Sequence, residues 1–211
     1  MAIASPLRLR RCAGTLVVGA VAAVLAVPAA SAGLISGLVG VNCTSGAAVR
    51  PFLPWNDSTK YELAPNGGFE NGSSGWTLTG NAQVVSGNEP FFVNSRSDTH
   101  SLALPDGSSA TSGPICIGGI SKDMVRLFVS NAGSPSSRLH VEIVYHGLTG
   151  AVLGLFDGGY VSASGTWQPS PQMLALQLPL LGGAVQIRLT PVGSNGAWLV
   201  DDVYTDPWIS N

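Results

Sequence analysis

Charged side chains are few in this sequence: Asp, Glu, Lys and Arg together make up 10% of its 211 residues. Helix-forming Glu and Lys are scarce, whereas Gly and Pro are plentiful, with 27 and 14 residues. This composition disfavours long helices and favours short strands separated by turns. The chain is long enough for one well-cored domain plus a targeting segment.

The sequence also lacks recognisable catalytic and metal-binding motifs. His100, His140 and His146 do not form a His-Glu-x-x-His motif, and neither a Cys-x-x-Cys pair nor a Gly-x-Ser-x-Gly elbow occurs. Asp201 and Asp202 could in principle serve glycoside hydrolysis, but adjacent residues of a strand point to opposite faces. We therefore expect one acid to face inward and the other outward, and we expect no catalytic residues and no enzymatic activity.

The N-terminus has a positive, then apolar, then small-residue pattern. Three Arg residues between positions 8 and 11 precede an apolar run from Leu16 to Val27, and an Ala-Ser-Ala triplet ends at Ala32. This pattern predicts a secretory signal peptide over residues 1–32. The alternative is a membrane anchor, but a span needs about 20 apolar residues and Pro28 interrupts the run. We expect a secreted, extracellular protein without a membrane span after cleavage.

The charge of the mature chain limits its partners. Loss of three of the ten Lys and Arg residues leaves seven against twelve Asp and Glu, a net charge of −5. Phosphate binding draws on clustered Lys and Arg, so we expect no nucleic-acid partner. The same balance disfavours a polybasic contact with a membrane surface.

Cysteine is rare, with three residues in the chain. Cys12 lies in the signal segment, so Cys43 and Cys116 remain in the mature protein. Two cysteines in an exported chain most simply form a disulfide, and the alternative is a pair of buried thiols. The disulfide would tether residues 33–59, which look like an irregular arm with few strand features.

From Lys60 onward the sequence predicts about ten to twelve short strands. Asn-Gly, Asp-Gly and Gly-Gly turns punctuate the gaps between them. Alternation is clearest over residues 139–145, where Leu, Val, Ile and Tyr alternate with His140, Glu142 and Val144. Strands at this spacing predict an all-β, two-sheet sandwich over residues 60–206, followed by a C-terminal tail at 207–211.

Two distant stretches carry the acids that matter most to the fold. Asn66-Gly-Gly-Phe-Glu70 predicts a tight turn, and a strand ending at Tyr204 contains Asp201 and Asp202. We expect the two stretches to lie side by side, with Glu70 close to one of the two aspartates. Crowded carboxylates raise one another's pKa, and a Ca²⁺ ion resolves that conflict. The alternative is that a carboxylate caps backbone N–H groups in the Gly-rich turn, without a metal.

Alternation also predicts a ligand surface. In the strand over 124–130 the Val and Leu side chains are expected to face the core. Phe128 would then face outward among polar groups. The predicted ligand-binding residues are Arg126, Phe128, His140, Glu142 and Arg188. Two alternatives are a solvated face with Arg–Glu pairs and burial of Phe128 under the arm. Trp76 and Trp167 follow turns and start strands, so we expect both in the core.

Several short motifs together resemble a known fold family. They are Asn66-Gly-Gly-Phe-Glu-(x)₅-Trp76, the Ser101-Leu-Ala-Leu104 strand, Trp167 after a Gly turn, and the closing Leu199-Val-Asp-Asp-Val203. Over residues 60–206 the sequence resembles galactose-binding-like jelly rolls, the fold of many bacterial carbohydrate-binding modules.

The resemblance implies a cofactor and a function. A structural Ca²⁺ would be held by Glu70 and Asp201, with Asp98 in the loop near Ser97–Ser101 as a weaker candidate. The implied function is that of a non-catalytic binding module for a carbohydrate or cell-envelope polymer. The alternatives are a structural or protein-interaction sandwich without a glycan ligand and a hydrolytic enzyme with an unrecognised site.

Overall fold

The computed structural model describes residues 47–116, 123–147, 150–175 and 184–206, which form an all-β fold with a single 3₁₀ turn at Leu53–Trp55. None of these residues belongs to a helix long and apolar enough to cross a membrane. The predicted signal peptide, the C-terminal tail, Cys43 and the Cys116 side chain lie outside the described part of the chain. The disulfide therefore stays a prediction.

The strands follow one another with short connections. In chain order they are β1 (Glu62–Leu63), β2 (Trp76–Thr79), β3 (Gln83–Ser86), β4 (His100–Pro105), β5 (Ser109–Ser112), β6 (Ile115–Cys116), β7 (Asp123–Asn131), β8 (Arg138–His146), β9 (Val152–Val161), β10 (Gln168–Pro169), β11 (Met173–Ala175), β12 (Ala184–Val192) and β13 (Ala197–Thr205).

The strands form two antiparallel sheets. One has seven strands in the order β10-β7-β13-β4-β3, with β1 paired to β13 and β11 paired to β7. The other has six strands in the order β2-β5-β12-β8-β9, with β6 paired to β12. Only β3–β4, β5–β6, β8–β9 and β10–β11 follow each other within one sheet, so every other connection between consecutive strands passes from one sheet to the other. This arrangement is a jelly-roll β-sandwich, as predicted.

The sequence analysis missed one strand, β5. Its residues Ser-Ala-Thr-Ser offer no large apolar side chain, because the two inward positions are Ala110 and Ser112. Pairing with β2 on one side and β12 on the other makes this segment a strand. Neighbours distant in sequence therefore decide its conformation, and local alternation does not reveal it.

The main core lies between the sheets. The inward side chains of β7 are Val125, Leu127 and Val129, each at most 1% exposed, as alternation predicts. Trp76 joins this core at 7% exposure, and its indole N–H donates to the Pro65 carbonyl at 3.1 Å. Trp167 packs against a second, smaller cluster instead. Each fully buried large apolar side chain contributes about 1.5–3 kcal/mol.

The second cluster covers the outer face of the seven-stranded sheet. Phe52 is fully buried and stacks on Phe128, with ring centroids 5.2 Å apart and an interplanar angle of 18°. Its edges meet Tyr61 and Tyr204 at 5.1 and 5.7 Å. The segment 47–61 thus lies across the sheet as a strap. Phe128 is 0% exposed beneath it, so the prediction that Phe128 is an outward ligand platform is wrong.

A buried ion pair fixes this strap. Arg126 Nη1 lies 2.7 Å from Asp57 Oδ2, and the guanidinium also donates twice to the Ser170 carbonyl and stands over the Phe52 ring at 4.2 Å. Burial alone would raise the pKa of Asp57, but hydrogen bonds from Tyr61 and Arg126 outweigh it and lower the pKa to about 2. Arg126, 7% exposed, is therefore structural, and its predicted place in a ligand surface is wrong.

Candidate functional site

The Gly-rich turn lies beside the last strand, as predicted. The Ala64 N–H donates to the Val203 carbonyl at 2.8 Å, and the Val203 N–H donates to the Gly67 carbonyl at 3.0 Å. A Cβ on Gly67 would sit 2.6 Å from the Val203 oxygen, so this close approach requires glycine. Phe69 then enters the core and packs on Trp76 at 5.0 Å.

Asp201 and Asp202 are both buried, at 0% and 1% exposure, so the expectation that one faces outward is wrong. The register of β13 against β7 shifts between Asp201 and Tyr204, which places an extra residue in β13. Asp202 takes a φ of 46°, in the left-handed region. This bulge breaks the alternation on which the expectation was based.

Asp201 has a structural role. Its Oδ1 accepts the Asp202 N–H at 2.8 Å and its Oδ2 accepts the Glu89 N–H at 3.0 Å. Burial, followed by the neighbouring Asp202 charge, raises the pKa of Asp201 well above its ordinary value. Asp201 thereby joins the last strand to the loop that follows β3.

Asp202 is the unusual member of the pair. Within the described residues, neither of its carboxylate oxygens accepts a hydrogen bond of ordinary geometry. Burial raises the pKa of Asp202, the charges of Glu89 and Asp98 raise it further, and the backbone N–H of Asn94 opposes this only in part. A buried carboxylate without partners is costly, which points to a missing counter-charge.

Glu89 is a further buried acid, which the sequence analysis did not identify. It is 0% exposed, and its carboxylate accepts the backbone N–H groups of Phe91 and Val93, the latter at 2.8 Å. Burial raises its pKa despite these bonds. The available sequence signal was a lone acid before Pro90 in an otherwise sparsely charged loop.

Glu70 holds the start of β4. Its Oε1 accepts the N–H groups of Thr99 and His100 at 2.8 and 2.7 Å, and its Oε2 lies 3.1 Å from His100 Nδ1. Burial opposes ionisation, but bonds from the His100 side chain and the two backbone N–H groups lower the pKa of Glu70. Glu70 thus caps backbone N–H groups, but these lie at the start of β4 and not in the Gly-rich turn that the alternative named.

Gly68 leaves space beside the Asp202 carboxylate. A Cβ built on Gly68 would lie 3.0 Å from Asp202 Oδ1, 3.5 Å from Asn94 Nδ2 and 3.9 Å from Asp98 Oδ2, so the missing side chain leaves a cradle between them. Asp98 is 7% exposed and accepts a hydrogen bond from the Asn94 amide at 2.7 Å. Carboxylate and carbonyl oxygens are the ligands that Ca²⁺ prefers.

The predicted trio of ligands does not assemble around one point. In the described ranges, no three His, Cys, Asp or Glu side chains are grouped to hold a metal ion. Asp201 and Glu70 already take part in two and four hydrogen bonds, respectively, whereas Asp202 accepts none of ordinary geometry. The geometry therefore favours Asp202 with Asp98 as ligands, and the calcium site itself stays a prediction.

The other predicted ligand residues lie on the second sheet. His140, Glu142 and Arg188 share the outer face of the six-stranded sheet, separate from the strapped face that holds Arg126. Glu142 Oε2 lies 3.7 Å from Arg188 Nη1 and 4.0 Å from His140 Nδ1. The predicted surface is thus divided between the outer faces of two sheets, and three of its five residues remain together.

Tyr160 completes this outer face, and the sequence analysis missed it. Its ring stacks on His140 with centroids 4.4 Å apart and planes 6° apart, and it is 56% exposed. His140 Nε2 lies 3.1 Å from Asp157 Oδ1, which orients the imidazole. β9 continues through the Asp157-Gly-Gly-Tyr160 stretch to Val161, because register shifts against β8 absorb that stretch.

Polar side chains cross the whole sheet at this level. Strand pairing places one such row in register across β9, β8, β12, β5 and β2: Asp157, Glu142, Arg188, Thr111 and Thr77. Four strand spacings make the row about 19 Å long. We name this row, together with His140 and Tyr160, the polar track.

Comparisons with known proteins identify the fold. No protein-family model and no curated protein match the sequence. A solved neighbour is the enzymatically active domain of tailspike protein 4 from bacteriophage CBA120, with a TM-score of 0.52, 15% identity, and coverage of 68% of this chain and 21% of that one.

A second neighbour comprises the N-terminal CBM22-1 and GH10 modules of a Clostridium thermocellum endo-1,4-β-D-xylanase complexed with xylohexaose. Its TM-score is 0.50 at 17% identity, covering 72% of this chain and 30% of that one. A third is TmCBM61 in complex with β-1,4-galactotriose, with a TM-score of 0.48, 20% identity, and coverage of 68% of this chain and 96% of that one. This chain spans less than a third of the length of the tailspike domain and of the xylanase modules.

These findings define the class of fold. The chain is a jelly-roll β-sandwich, the fold that it shares with the tailspike domain and the xylanase modules. Identities of this size show the fold alone, so the function must be argued from the site.

Proposed function

We propose that this protein is a secreted, non-catalytic module that binds a carbohydrate or cell-envelope polymer along the polar track. The observation that carries the proposal is the half-exposed Tyr160 ring, stacked on His140 at one end of a row of hydrogen-bonding side chains. The solved neighbour complexed with xylohexaose supports a glycan as the ligand class.

The chemistry of the track suits a sugar chain. His140 fills one face of the Tyr160 ring, and the ring is positioned so that the apolar C–H face of a pyranose can stack on it. Arg188 and Glu142 are partly exposed and can pair with sugar hydroxyls. A few polar groups beside one apolar contact are typical of small-ligand sites. The length of the track favours an extended chain over a single terminal sugar.

Binding without catalysis is favoured by where the acids lie. The carboxylates with the most strongly raised pKa values, Asp201 and Asp202, are at most 1% exposed and cannot reach a bound polymer. On the track, Glu142 is engaged by Arg188 and His140, and Asp157 by His140. An acid and a base held free on either side of one glycosidic bond are what hydrolysis requires.

A second candidate function is a protein-interaction sandwich. β9 is an outermost strand of the six-stranded sheet in the described part of the chain, and it exposes Val152, Leu153 and Leu155 at 60%, 45% and 56%. Exposed apolar side chains on an edge strand can pair with another chain. Concentration-dependent self-association in sedimentation experiments, without glycan binding, would favour this candidate.

Replacement of Tyr160 by alanine tests the leading proposal. We expect Tyr160→Ala to weaken retention in affinity electrophoresis through xylan or galactan gels at least about tenfold, because the variant removes the aromatic ring on which the sugar would stack. Tyr160→Phe keeps the ring and should retain most of the binding. Since the side chain is 56% exposed, the melting temperature should change little. Unchanged retention of the Tyr160→Ala variant would contradict the proposal.

We also propose that a structural Ca²⁺ is held by Asp202 and Asp98. The two unpartnered oxygens of Asp202 and the cradle at Gly68 support this assignment. The ion would supply positive charge that offsets the raised pKa of Asp202, and it would join the last strand to the loop between β3 and β4.

A further inference from the structure

The geometry points to a second ligand site, separate from the polar track, on the loop between β3 and β4. Phe91 and Phe92, supported by Trp55, form a ring-stacking surface for the apolar face of a saccharide. We name these three side chains the aromatic loop surface. Its ligand class is the same as that of the proposed function, but it uses different residues on another part of the molecule.

The loop is held in a strained conformation. Phe92 has a φ of 52°, a left-handed value that a bulky side chain rarely adopts. The fully buried Glu89 carboxylate accepts the N–H groups of Phe91 and Val93 on either side of it. The Glu89 N–H in turn donates to Asp201 at 3.0 Å. Such strain persists only where surrounding contacts enforce it, and it concentrates at binding sites.

The strained loop presents apolar surface to solvent. Phe91 and Phe92 are 44% and 45% exposed, although they are adjacent in the chain. The Phe91 ring is braced by Trp55, 4.9 Å away at 82°, and by the buried Phe128, 5.7 Å away. The Phe91 ring is already fixed and loses little freedom on binding, so this part of the surface is preorganised for a ligand.

The size of the surface identifies its occupant. Two Phe side chains, each a little under half exposed, offer about 200 Å² of apolar area. A stable protein partner needs about 800 Å² on each side, so a second protein is disfavoured. A flat ring of sugar size matches the available area.

The charge of the loop disfavours an anionic lipid surface as the ligand. A lipid surface is recognised by about four to eight clustered Lys and Arg residues. Residues 88–100 contain a single one, Arg96, while buried acids lie beneath the loop. A neutral saccharide is therefore favoured over an anionic membrane.

The two sites lie on different sides of the sandwich. Phe91 contacts Phe128 on the strapped face of the seven-stranded sheet, whereas Tyr160 belongs to the outer face of the six-stranded sheet. One protein molecule would then bind two polymer molecules, and loss of one site should leave the other intact.

A glycan array probed with the full mature chain and three variants tests the inference. The variants are Phe92→Ser, the double variant Phe91→Ser/Phe92→Ser, and Tyr160→Ala. Val152→Ser is the control, because it removes an even more exposed apolar side chain elsewhere. We expect Tyr160→Ala to keep binding to a subset of the immobilised glycans. Phe92→Ser and the double variant should lose that subset at least about tenfold, and Val152→Ser should bind like the wild type.

The outcomes separate this inference from the proposed function. If both Phe variants bind every glycan like the wild type while Tyr160→Ala loses all binding, the loop site is overturned and the track stands. If the Phe variants lose binding and Tyr160→Ala behaves like the wild type, the loop site stands and the track is overturned. Binding of no glycan by the wild type overturns both.

Melting temperatures and assays of vesicle binding and self-association complete the test. Phe92 makes none of the ring contacts recorded for the described residues, so Phe92→Ser should melt near the wild-type temperature and report binding without unfolding. Loss of phosphatidylcholine-vesicle binding or of self-association in the Phe variants, with glycan binding unchanged, would overturn the saccharide assignment.

Discussion

Replacing Arg126 with alanine is expected to lower the free energy of unfolding by about 3–5 kcal/mol, because it leaves the buried Asp57 carboxylate without its counter-charge. The Ser170 carbonyl would lose two donors in the same step, and Phe52 would lose the guanidinium above its ring. Urea denaturation followed by Trp fluorescence measures the loss. The whole strap over residues 47–61 should become protease-sensitive.

Two controls make this result specific to the buried pair. Arg188→Ala removes a more exposed partner from the Glu142 pair and should cost only about 0–1 kcal/mol. The double variant Arg126→Met/Asp57→Leu should recover part of the loss, since it leaves neither charge buried alone. An Arg126→Ala protein within about 1 kcal/mol of the wild type would show that the strap does not depend on the ion pair.

The Arg126–Asp57 pair also predicts that the stability of the protein falls at acidic pH. The folded-state pKa of Asp57 is lowered from 3.8 to about 2, so its contribution to stability is present above pH 3.8 and is lost as the pH falls through about 2. In Arg126→Ala this part of the acid transition should shrink. Melting temperatures of both proteins between pH 5 and 2 give the comparison.

Ca²⁺ is expected to stabilise the protein by about 2.7 kcal/mol at a concentration one hundred times its dissociation constant. The reason is that the ion would neutralise Asp202, which is buried and unpartnered beside Asp98. Asp202→Asn should abolish the response and, in chelator, should be more stable than the wild type because it carries no buried charge. Gly68→Ala should weaken the response, since its Cβ enters the cradle.

The sign of the pH dependence follows from the raised pKa values. The folded-state pKa of Asp202 is raised from 3.8 to about 7, so in chelator the native state retains a proton that the unfolded state releases. Stability should therefore fall as the pH rises from about 4 to above 7, and Ca²⁺ should flatten this decline. Asp106→Asn, an acid that accepts N–H groups of Asn195 and Gly196 elsewhere, serves as the control. Identical melting curves in Ca²⁺ and chelator would contradict the calcium proposal.

Local pattern determined most of the architecture. Turn residues and period-two alternation predicted the strands, with the exception of β5, and the two-sheet sandwich followed from their number and spacing. The apposition of the Gly-rich turn and the last strand was also predictable. A glycine whose Cβ would meet the Val203 oxygen belongs to a turn where another strand passes close by.

Only the tertiary structure decided that both faces of β7 are buried. Alternation places Arg126 and Phe128 on one face of β7 and Val125 and Leu127 on the other. It gives no sign that Phe52 covers the face of Arg126 and Phe128. A strand buried on both sides still alternates in polarity when an ion pair satisfies its polar positions. The strap that does this lies about 70 residues earlier in the chain, and no local signal connects the two.

The candidate sites show the same division. Alternation predicted that His140, Glu142 and Arg188 point away from the core, because regular strands keep it intact. Only the pairing of β8 with β12 shows that they share one face, since alternation put Arg126 on the same surface. Tyr160 and Asp202 were not, because register shifts in β9 and β13 change which face each side chain takes. The partners of Glu89 come from its own loop and from the far end of the chain, and only packing brings those segments together.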